Sequence, residues 1–558
     1  MRRVLELFHR ELKGVHQAAV LLAGATIVSS LLGLLRDRFL ASTFGAGAEL
    51  DIYYAAFRIP DFLYTVSILF IASTAIIPVF LDVLVKNEER AREIIHALLT
   101  IFLLFMGVVL GIVYLALPNI LPFLVPGFGG EDSARAVEVS RILLLSPLFL
   151  GLSHLLSSVT QTFKRFFIYA LSPLFYNMGI IGGIIFLVPR FGLSGLAVGV
   201  VVGAFLHMAI QLPSIIRLGF PLGFTFVFPR EIKDILMISF PRTIGLVAMQ
   251  LTFIAITAIA STIGVGSIAV FNLSYNLQSI PLSVIGLSYS IAAFPTMAEL
   301  VIKKDRKVFF DHLGMAARHI MFWTMPLSIL FLVLRAHIVR IILGAGAFGW
   351  VDTRLTAASL ALFSFGIVAQ SLVALFVRSF YALGRTTAPV VLNVFSMGLT
   401  VVFAFVFVSL LNTGSMFADI FSRILRVEGV PNISMLGLPF AFALGSIINA
   451  VLLGIGLSRI DSLFRNCRIL VSLGEIMVSS ALLGITSYIV LHVSANWFNQ
   501  ETFLGIFLQG ICAGLAGIGM FLLFLRIRNN KEFKEVYVAL TRKFWKENDA
   551  FAPEQDRI

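Results

Sequence analysis

Apolar runs of about 20 residues, the length a helix needs to cross ~30 Å of hydrocarbon, recur from one end of this chain to the other. A helix satisfies its own backbone hydrogen bonds, which hydrocarbon demands of any segment crossing it. The pattern therefore predicts an all-α, polytopic membrane protein. Fourteen candidate spans lie near 16–44, 53–84, 94–117, 137–162, 168–189, 192–217, 234–262, 267–300, 315–343, 353–383, 388–411, 434–458, 471–493 and 503–526. Only 13% of the 558 residues are charged, against about a quarter in soluble domains. The 44 glycines suit close helix packing in lipid.

The arrangement of basic residues orients the chain. With the N-terminus in the cytoplasm, the inner segments hold 28 of the 42 lysines and arginines, and the outer loops hold about six. That contrast follows the positive-inside rule and places both termini in the cytoplasm. It also explains the net charge of +12 without nucleic acid, because the cations sit in short loops on alternate sides. Residues 1–17 are basic and amphipathic and read as an interfacial helix before an uncleaved first span, with no secretory signal. The two cysteines, Cys467 in an inner loop and Cys512 in a late span, predict neither a disulfide nor a metal site.

A faint internal repeat divides the chain. QTFKRFFIYALSPLFYN, after the fourth span, and SFYALGRTTAPVVLN, after the tenth, are both basic and lead to Pro-x-x-x-Asn, with Pro173 and Asn177 in one and Pro389 and Asn393 in the other. Gly45-Ala-Gly47 precedes Pro60 much as Gly264-Val-Gly266 precedes Pro281. Six plus six spans in the same sense predict two lobes related by a pseudo-two-fold axis: an N-lobe over 1–219 and a C-lobe over 220–460. Two further spans occupy 461–530, and a charged cytoplasmic tail, expected to fray, occupies 531–558. The long outer loop 412–434 contains an amphipathic segment, ADIFSRILRVEG.

Ionisable residues inside the spans are costly and mark transport paths. The first hairpin carries Arg36, Asp37, Arg38, Asp51, Arg58 and Asp61. It turns near Gly47, and Arg36 and Arg58 lie eleven residues to either side, hence at about the same depth in the outer half of the membrane. Asp51 and Arg58 are seven apart and share a helix face; Asp61 is three beyond Arg58 and within pairing reach. Pro60 removes an intrahelical hydrogen bond and predicts a kink. Arg36 and Arg38, two apart, cannot share a face, which favours Arg36 for a cavity. The bland reading of these charges is a headgroup anchor plus a structural ion pair. Asn276, with Asn272 and Gln278, either binds substrate or ties helices together. Arg242 and Arg378 sit near inner span ends and either snorkel to lipid phosphates or join the site. His154 and His207 read as hydrogen-bonded structural residues with proton carriage as the rival.

There is no phosphate-binding loop, HExxH or nucleophile elbow. The chain reads as a transporter rather than an enzyme, with no nucleotide, no nucleic acid and no resident cofactor. An ion gradient, the membrane potential or substrate supply and removal would drive it.

GLLRDRFLASTFGAGAELDIYYAAFRIPDFL resembles the first hairpin of the MurJ/MviN family, lipid II flippases of the multidrug/oligosaccharidyl-lipid/polysaccharide exporter superfamily. The matching residues are Gly33, Arg36, Asp37, Phe44, Gly45, Gly47, Asp51, Ala56, Phe57, Arg58 and Pro60. RSFYALGRTTAPV resembles the family's tenth-to-eleventh connection, and NLQSIPLSVIGLSYSIAAFPTMAEL its eighth span. This chain departs where many members carry a basic residue, having Ser30, Tyr64 and Asn276 instead, and ILFIAST replaces an Ala-Glu-Gly-Ala-like run.

The resemblance implies a V-shaped pair of lobes in the bacterial cytoplasmic membrane, monomeric, working by alternating access. A lipid-linked peptidoglycan precursor would cross from inner to outer leaflet with its headgroup in a cationic cavity and its polyprenyl tail in a groove near the last two spans. Arg36, Asp37, Asp51, Arg58, Asp61, Asn276 and Arg378 are the expected substrate contacts. The family also implies a possible sodium site in the second lobe, yet no acidic residue is buried in spans seven, eleven or twelve to anchor one. The rival functions are a flippase for another undecaprenyl-diphosphate oligosaccharide, a cation-coupled multidrug antiporter of the same superfamily, and a membrane scaffold.

Overall fold

A computed structural model describes residues 15–71, 73–467 and 469–545. The expected interfacial helix over 1–17 falls almost wholly outside them, as does the far end of the tail. Among the described residues the regular structure is helical, with no strand. Ten helices are each long and apolar enough to cross a membrane, and the bent pair Trp350–Ser364 and Ile367–Ala382 makes an eleventh. One of the ten, Phe166–Arg217, is 52 residues long. At 1.5 Å per residue that is about 78 Å, more than twice a bilayer core. It is two spans, broken where Gly192 takes φ +53°. The first hairpin adds further helices, Val15–Phe44 on one side and Ala48–Ala56, Arg58–Ile71 and Ser73–Lys86 on the other.

The chain forms two compact units. The first takes the described residues up to Ile280, with Ile338–Gly366 and Gly384–Leu453. The second takes Pro281–His337, Ile367–Leu383 and the described residues from Gly454 on. One boundary falls at Pro281, which supplies no backbone N–H and is followed by a π-helical turn, Leu282–Leu287.

In the first unit, α1 (Val15–Phe44) and the helices Ala48–Ala56, Arg58–Ile71 and Ser73–Lys86 form the first hairpin. A dry core beside them gathers Phe80, Leu98, Phe102, Leu155, Val159 and Phe220, all essentially inaccessible to solvent. Helix Phe166–Gly182, with the π-turn Gly183–Leu187 after it, packs on Val188–Ala209 through glycines. A Cβ on Gly179 would stand 2.3 Å from Gly203 Cα, and one on Gly183 would stand 2.6 Å from Gly199 Cα. This is the small-residue helix contact that lipid favours, because no hydrophobic drive exists there and only close approach gains dispersion energy. Replacing Gly183 or Gly199 with leucine forces backbone apart and is expected to cost about 3 kcal/mol or more. The measurement is the apparent Tm of the detergent-purified protein; an unchanged value would mean that the two helices are not in this contact.

The second unit contains a feature unlike its expectation. The tail segment Lys531–Trp545 does not fray but forms a helix. Its first turn is tied to helix Arg306–Val333 by Arg318 Nε to Glu532 Oε1 at 2.9 Å, a pair with both side chains largely buried, and by His319 Nε2 to Glu535 Oε2 at 2.9 Å. Asn530 also donates to Glu475 Oε2 at 2.9 Å. Arg318 is therefore a tether for the tail helix. The charged composition read as solvated chain because the partner acids and bases lie more than two hundred residues apart.

Candidate functional site: a charged cavity walled by aromatic rings

The site is built at the first hairpin. α1 ends at Phe44, and Gly45 turns the chain with φ +63°. There the backbone comes within contact of the loop 343–349: Ala347 N donates to Ser42 O at 2.8 Å, and a Cβ on Gly45 would lie 2.8 Å from Ala347 O. Arg38 leaves the cavity side as its spacing from Arg36 requires, and donates to Ile341 O at 2.5 Å and Ile342 O at 3.3 Å.

The chain returns as α2 (Ala48–Ala56) and α3 (Arg58–Ile71), interrupted at Phe57. The interruption is the one Pro60 predicts. Having no N–H, Pro60 leaves the Ala56 carbonyl without its helical donor, and Ser140 Oγ supplies one instead at 3.1 Å.

Five of the seven expected substrate contacts come together. Arg36, Asp37, Arg58, Asp61 and Asn276 line one cavity of about 300 Å³ within the first unit. Arg36 donates to Asp37 Oδ1 from Nη2 at 2.8 Å and Nε at 3.0 Å, and to Asn177 Oδ1 from Nη1 at 3.2 Å. Asp37, 3% exposed, also accepts from Asn276 Nδ2 at 3.0 Å. Arg58, 7% exposed, donates to Thr257 Oγ1 at 2.7 Å and to Asn272 Oδ1 at 2.6 Å, and lies 5.4 Å from the centroid of the Phe253 ring. Its Nη1 makes no hydrogen bond among the described residues. Asp61 lines the cavity one helical turn beyond Arg58 but is not hydrogen-bonded to it, so the structural ion pair expected there is not formed.

Asp51 is elsewhere, and the expectation for it needs correction. It does share a face with Arg58, but that face abuts helix Ser267–Pro281 at two levels. Asp51 meets the N-terminus of that helix, with Oδ2 accepting from Gly266 N at 2.6 Å and Oδ1 from Ala269 N at 2.7 Å. A carboxylate there satisfies orphan amides and opposes the helix dipole. Gly266 has φ +89°, and a Cβ on it would collide with Ala46 O. Arg378 is half-buried in the second unit and does not line the cavity. The side chain of Arg242 lies outside the described residues.

Several residues of the site were not among the expected contacts. Asn177 was visible as part of the Pro-x-x-x-Asn repeat, and its amide both accepts from Arg36 and donates to Pro173 O at 3.1 Å. Tyr53, Tyr54, Tyr176 and Tyr275 line the cavity with Phe57 and Phe253. Nothing in the spacing of isolated tyrosines in apolar helices singles them out. His207 takes the structural role expected, with Nδ1 2.6 Å from Ser153 Oγ in a buried cluster that includes Gln211.

A second, smaller cavity of about 70 Å³ lies in the first unit among Thr252, Ser396, Thr400, Ser446 and Asn449. Asn449 Oδ1 is buried there without a partner. The hydroxyls donate to carbonyls one turn back, so their lone pairs are what the cavity is offered. No carboxylate lines it.

Solved structures share this helical fold. The chain superposes on "Lipid II flippase MurJ, inward closed conformation" with a TM-score of 0.73 at 21% identity, covering 93% of this chain and 100% of that one. It superposes on an inward-facing multidrug resistance MATE family transporter of the MOP superfamily with a TM-score of 0.64 at 16% identity, covering 80% of this chain and 99% of that one. A family profile described as Lipid II flippase MurJ matches residues 40–508. Among similar sequences, a probable lipid II flippase MurJ of Borreliella burgdorferi is 26% identical over 68% of this chain and 74% of its own length. The lipid II flippase MurJ of Burkholderia cenocepacia is 25% identical over 79% and 84%. The chain belongs to the lipid II flippase MurJ family.

Proposed function

We propose that this chain is a flippase, not an enzyme, that moves the polyprenyl-diphosphate-linked peptidoglycan precursor lipid II from the inner to the outer leaflet of the bacterial cytoplasmic membrane, with both termini cytoplasmic. Family membership supports the substrate class. The observation that carries the mechanism is the pairing of Arg36 and Arg58 in one cavity, Arg36 held by Asp37 and the Asn177 amide, Arg58 by the uncharged oxygens of Thr257 and Asn272.

A diphosphate entering bare hydrocarbon would lose its hydration at great cost. Guanidinium forks replace that hydration with charge-assisted, geometrically matched hydrogen bonds. Asp37 and Asp61 balance the two arginines formally while the cavity is empty. The diphosphate displaces Asp37 from Arg36 on entry, and Asp37 reclaims Arg36 on release, while Arg58 is already open to it. Alternating access of two lobes then carries the headgroup across while the tail stays in lipid.

The membrane potential is the driving force we favour. A sodium ion in the 70 Å³ cavity would meet only neutral oxygens and keep its full charge inside the protein. Flipping in vesicles is therefore expected to be unchanged when potassium or choline replaces sodium at a clamped potential, and loss of flipping on sodium removal would overturn this.

One observation keeps a second substrate in view. Asn276 and Tyr64 stand where many members carry cations, and Asn276 spends its amide on Asp37. A less cationic cavity fits another undecaprenyl-diphosphate oligosaccharide. Complementation of a lipid II flippase-depleted strain separates the two: growth supports lipid II, and no growth from a well-expressed protein supports the alternative.

A further inference from the structure

The arginines account for a diphosphate but not for the rest of the cavity wall. Six aromatic side chains, Tyr53, Tyr54, Phe57, Tyr176, Phe253 and Tyr275, face the same space. Most of them are engaged with one another: Tyr275 packs against Phe253 at 5.0 Å and Phe363 at 5.9 Å, and Tyr53 lies edge-on to Phe57 at 4.9 Å. Tyr54 has only Tyr53 as a ring neighbour among the described residues, at 5.3 Å and 62°. Its hydroxyl is buried and has no hydrogen-bond partner there. Tyr54 lines the same cavity as Arg36, Asp37 and Arg58. A buried phenol normally finds a partner, and an orphan one calls for an explanation.

We propose that Tyr54 recognises the first sugar of the lipid-linked headgroup, its ring against the sugar face and its hydroxyl hydrogen-bonded to a sugar oxygen, while the diphosphate next to that sugar lies on Arg36 and Arg58. This rests on the flippase reading above and deepens it. A diphosphate has no apolar face and gains nothing from a ring. A pyranose has both a C–H face that packs on an aromatic surface and oxygens that accept from a phenol. The sugar bonded to the diphosphate is the part of the headgroup that must sit within one residue's reach of the arginines. A cavity of about 300 Å³ holds that junction and not the whole headgroup, in keeping with pockets that fix orientation through a few polar groups on apolar walls.

The test is native mass spectrometry of the purified full chain with two probes, undecaprenyl diphosphate and lipid II, for the wild type, Tyr54→Phe, Tyr54→Ala and the double variant R36Q/R58Q, each first shown to be folded by a cooperative thermal transition. The wild type should prefer lipid II over undecaprenyl diphosphate by about tenfold or more. Tyr54→Phe should lose most of that preference while binding undecaprenyl diphosphate as the wild type does, and Tyr54→Ala should lose all of it. The proposal is overturned if both Tyr54 variants keep the wild-type preference, if they weaken both probes equally, or if the wild type shows no preference. Failure of the flippase reading looks different: R36Q/R58Q would then bind both probes as tightly as the wild type.

Discussion

Replacing Arg58 with alanine is expected to weaken lipid II binding about 30-fold and to abolish growth of a flippase-depleted strain, with membrane expression intact. Charged hydrogen bonds are worth about 1.5–3 kcal/mol each, and at about 1.4 kcal/mol per factor of ten the loss of even one such bond reaches that range. The protein itself should stay folded, losing about 1–3 kcal/mol for the Asn272 Oδ1 left without its donor. Arg58 donates to Thr257 and Asn272, both neutral, and Thr257 already satisfies its own hydrogen by donating to Phe253 O at 2.8 Å. Asn272 likewise donates to Ile268 O at 2.7 Å. Removing the guanidinium thus strands no buried charge hydrogen-bonded to it, which separates this site from an ordinary buried ion pair, where breaking one partner is strongly destabilising. Lysine at 58 keeps the charge but not the fork, and should recover part of the binding. The measurements are lipid II titration and the complementation assay, and normal growth of the alanine variant would sink this role.

Asp51→Ala is expected to do the opposite, lowering stability rather than binding. The carboxylate satisfies two buried amides at the start of helix Ser267–Pro281, and alanine leaves Gly266 N and Ala269 N with nothing to donate to. Each stranded buried donor costs about 1–3 kcal/mol, so a loss near 3 kcal/mol is expected, read as a fall in Tm and in folded yield. Asparagine keeps one acceptor and loses the charge that opposes the helix dipole, so it should fall between. A stable Asp51→Ala protein that has lost lipid II binding would instead return Asp51 to the cavity.

These two aspartates of one hairpin show what was legible in the residues. Hydropathy placed the spans because the period and length of an apolar helix are local properties. The turn, expected near Gly47 and found at Gly45, the interruption below Pro60 and the separation of Arg36 from Arg38 were legible for the same reason: each follows from geometry within a few residues. Asp37 and Asp51 look alike on that scale. Their roles differ because Asp37 meets Asn276 and Asp51 meets Gly266, partners more than two hundred residues away. The tyrosines of the cavity and the docked tail helix were missed on the same grounds, since only tertiary contact distinguishes a cavity tyrosine from a lipid-facing one or a tethered helix from a solvated tail.

The account stands on two guanidinium groups taking the place of water around a lipid diphosphate. Titrating lipid II into the purified R36Q/R58Q protein, with Tm measured alongside, tests it most directly. Loss of binding by about a hundredfold or more from a double variant that is still folded is the predicted result; binding as tight as the wild type from a folded double variant would contradict it.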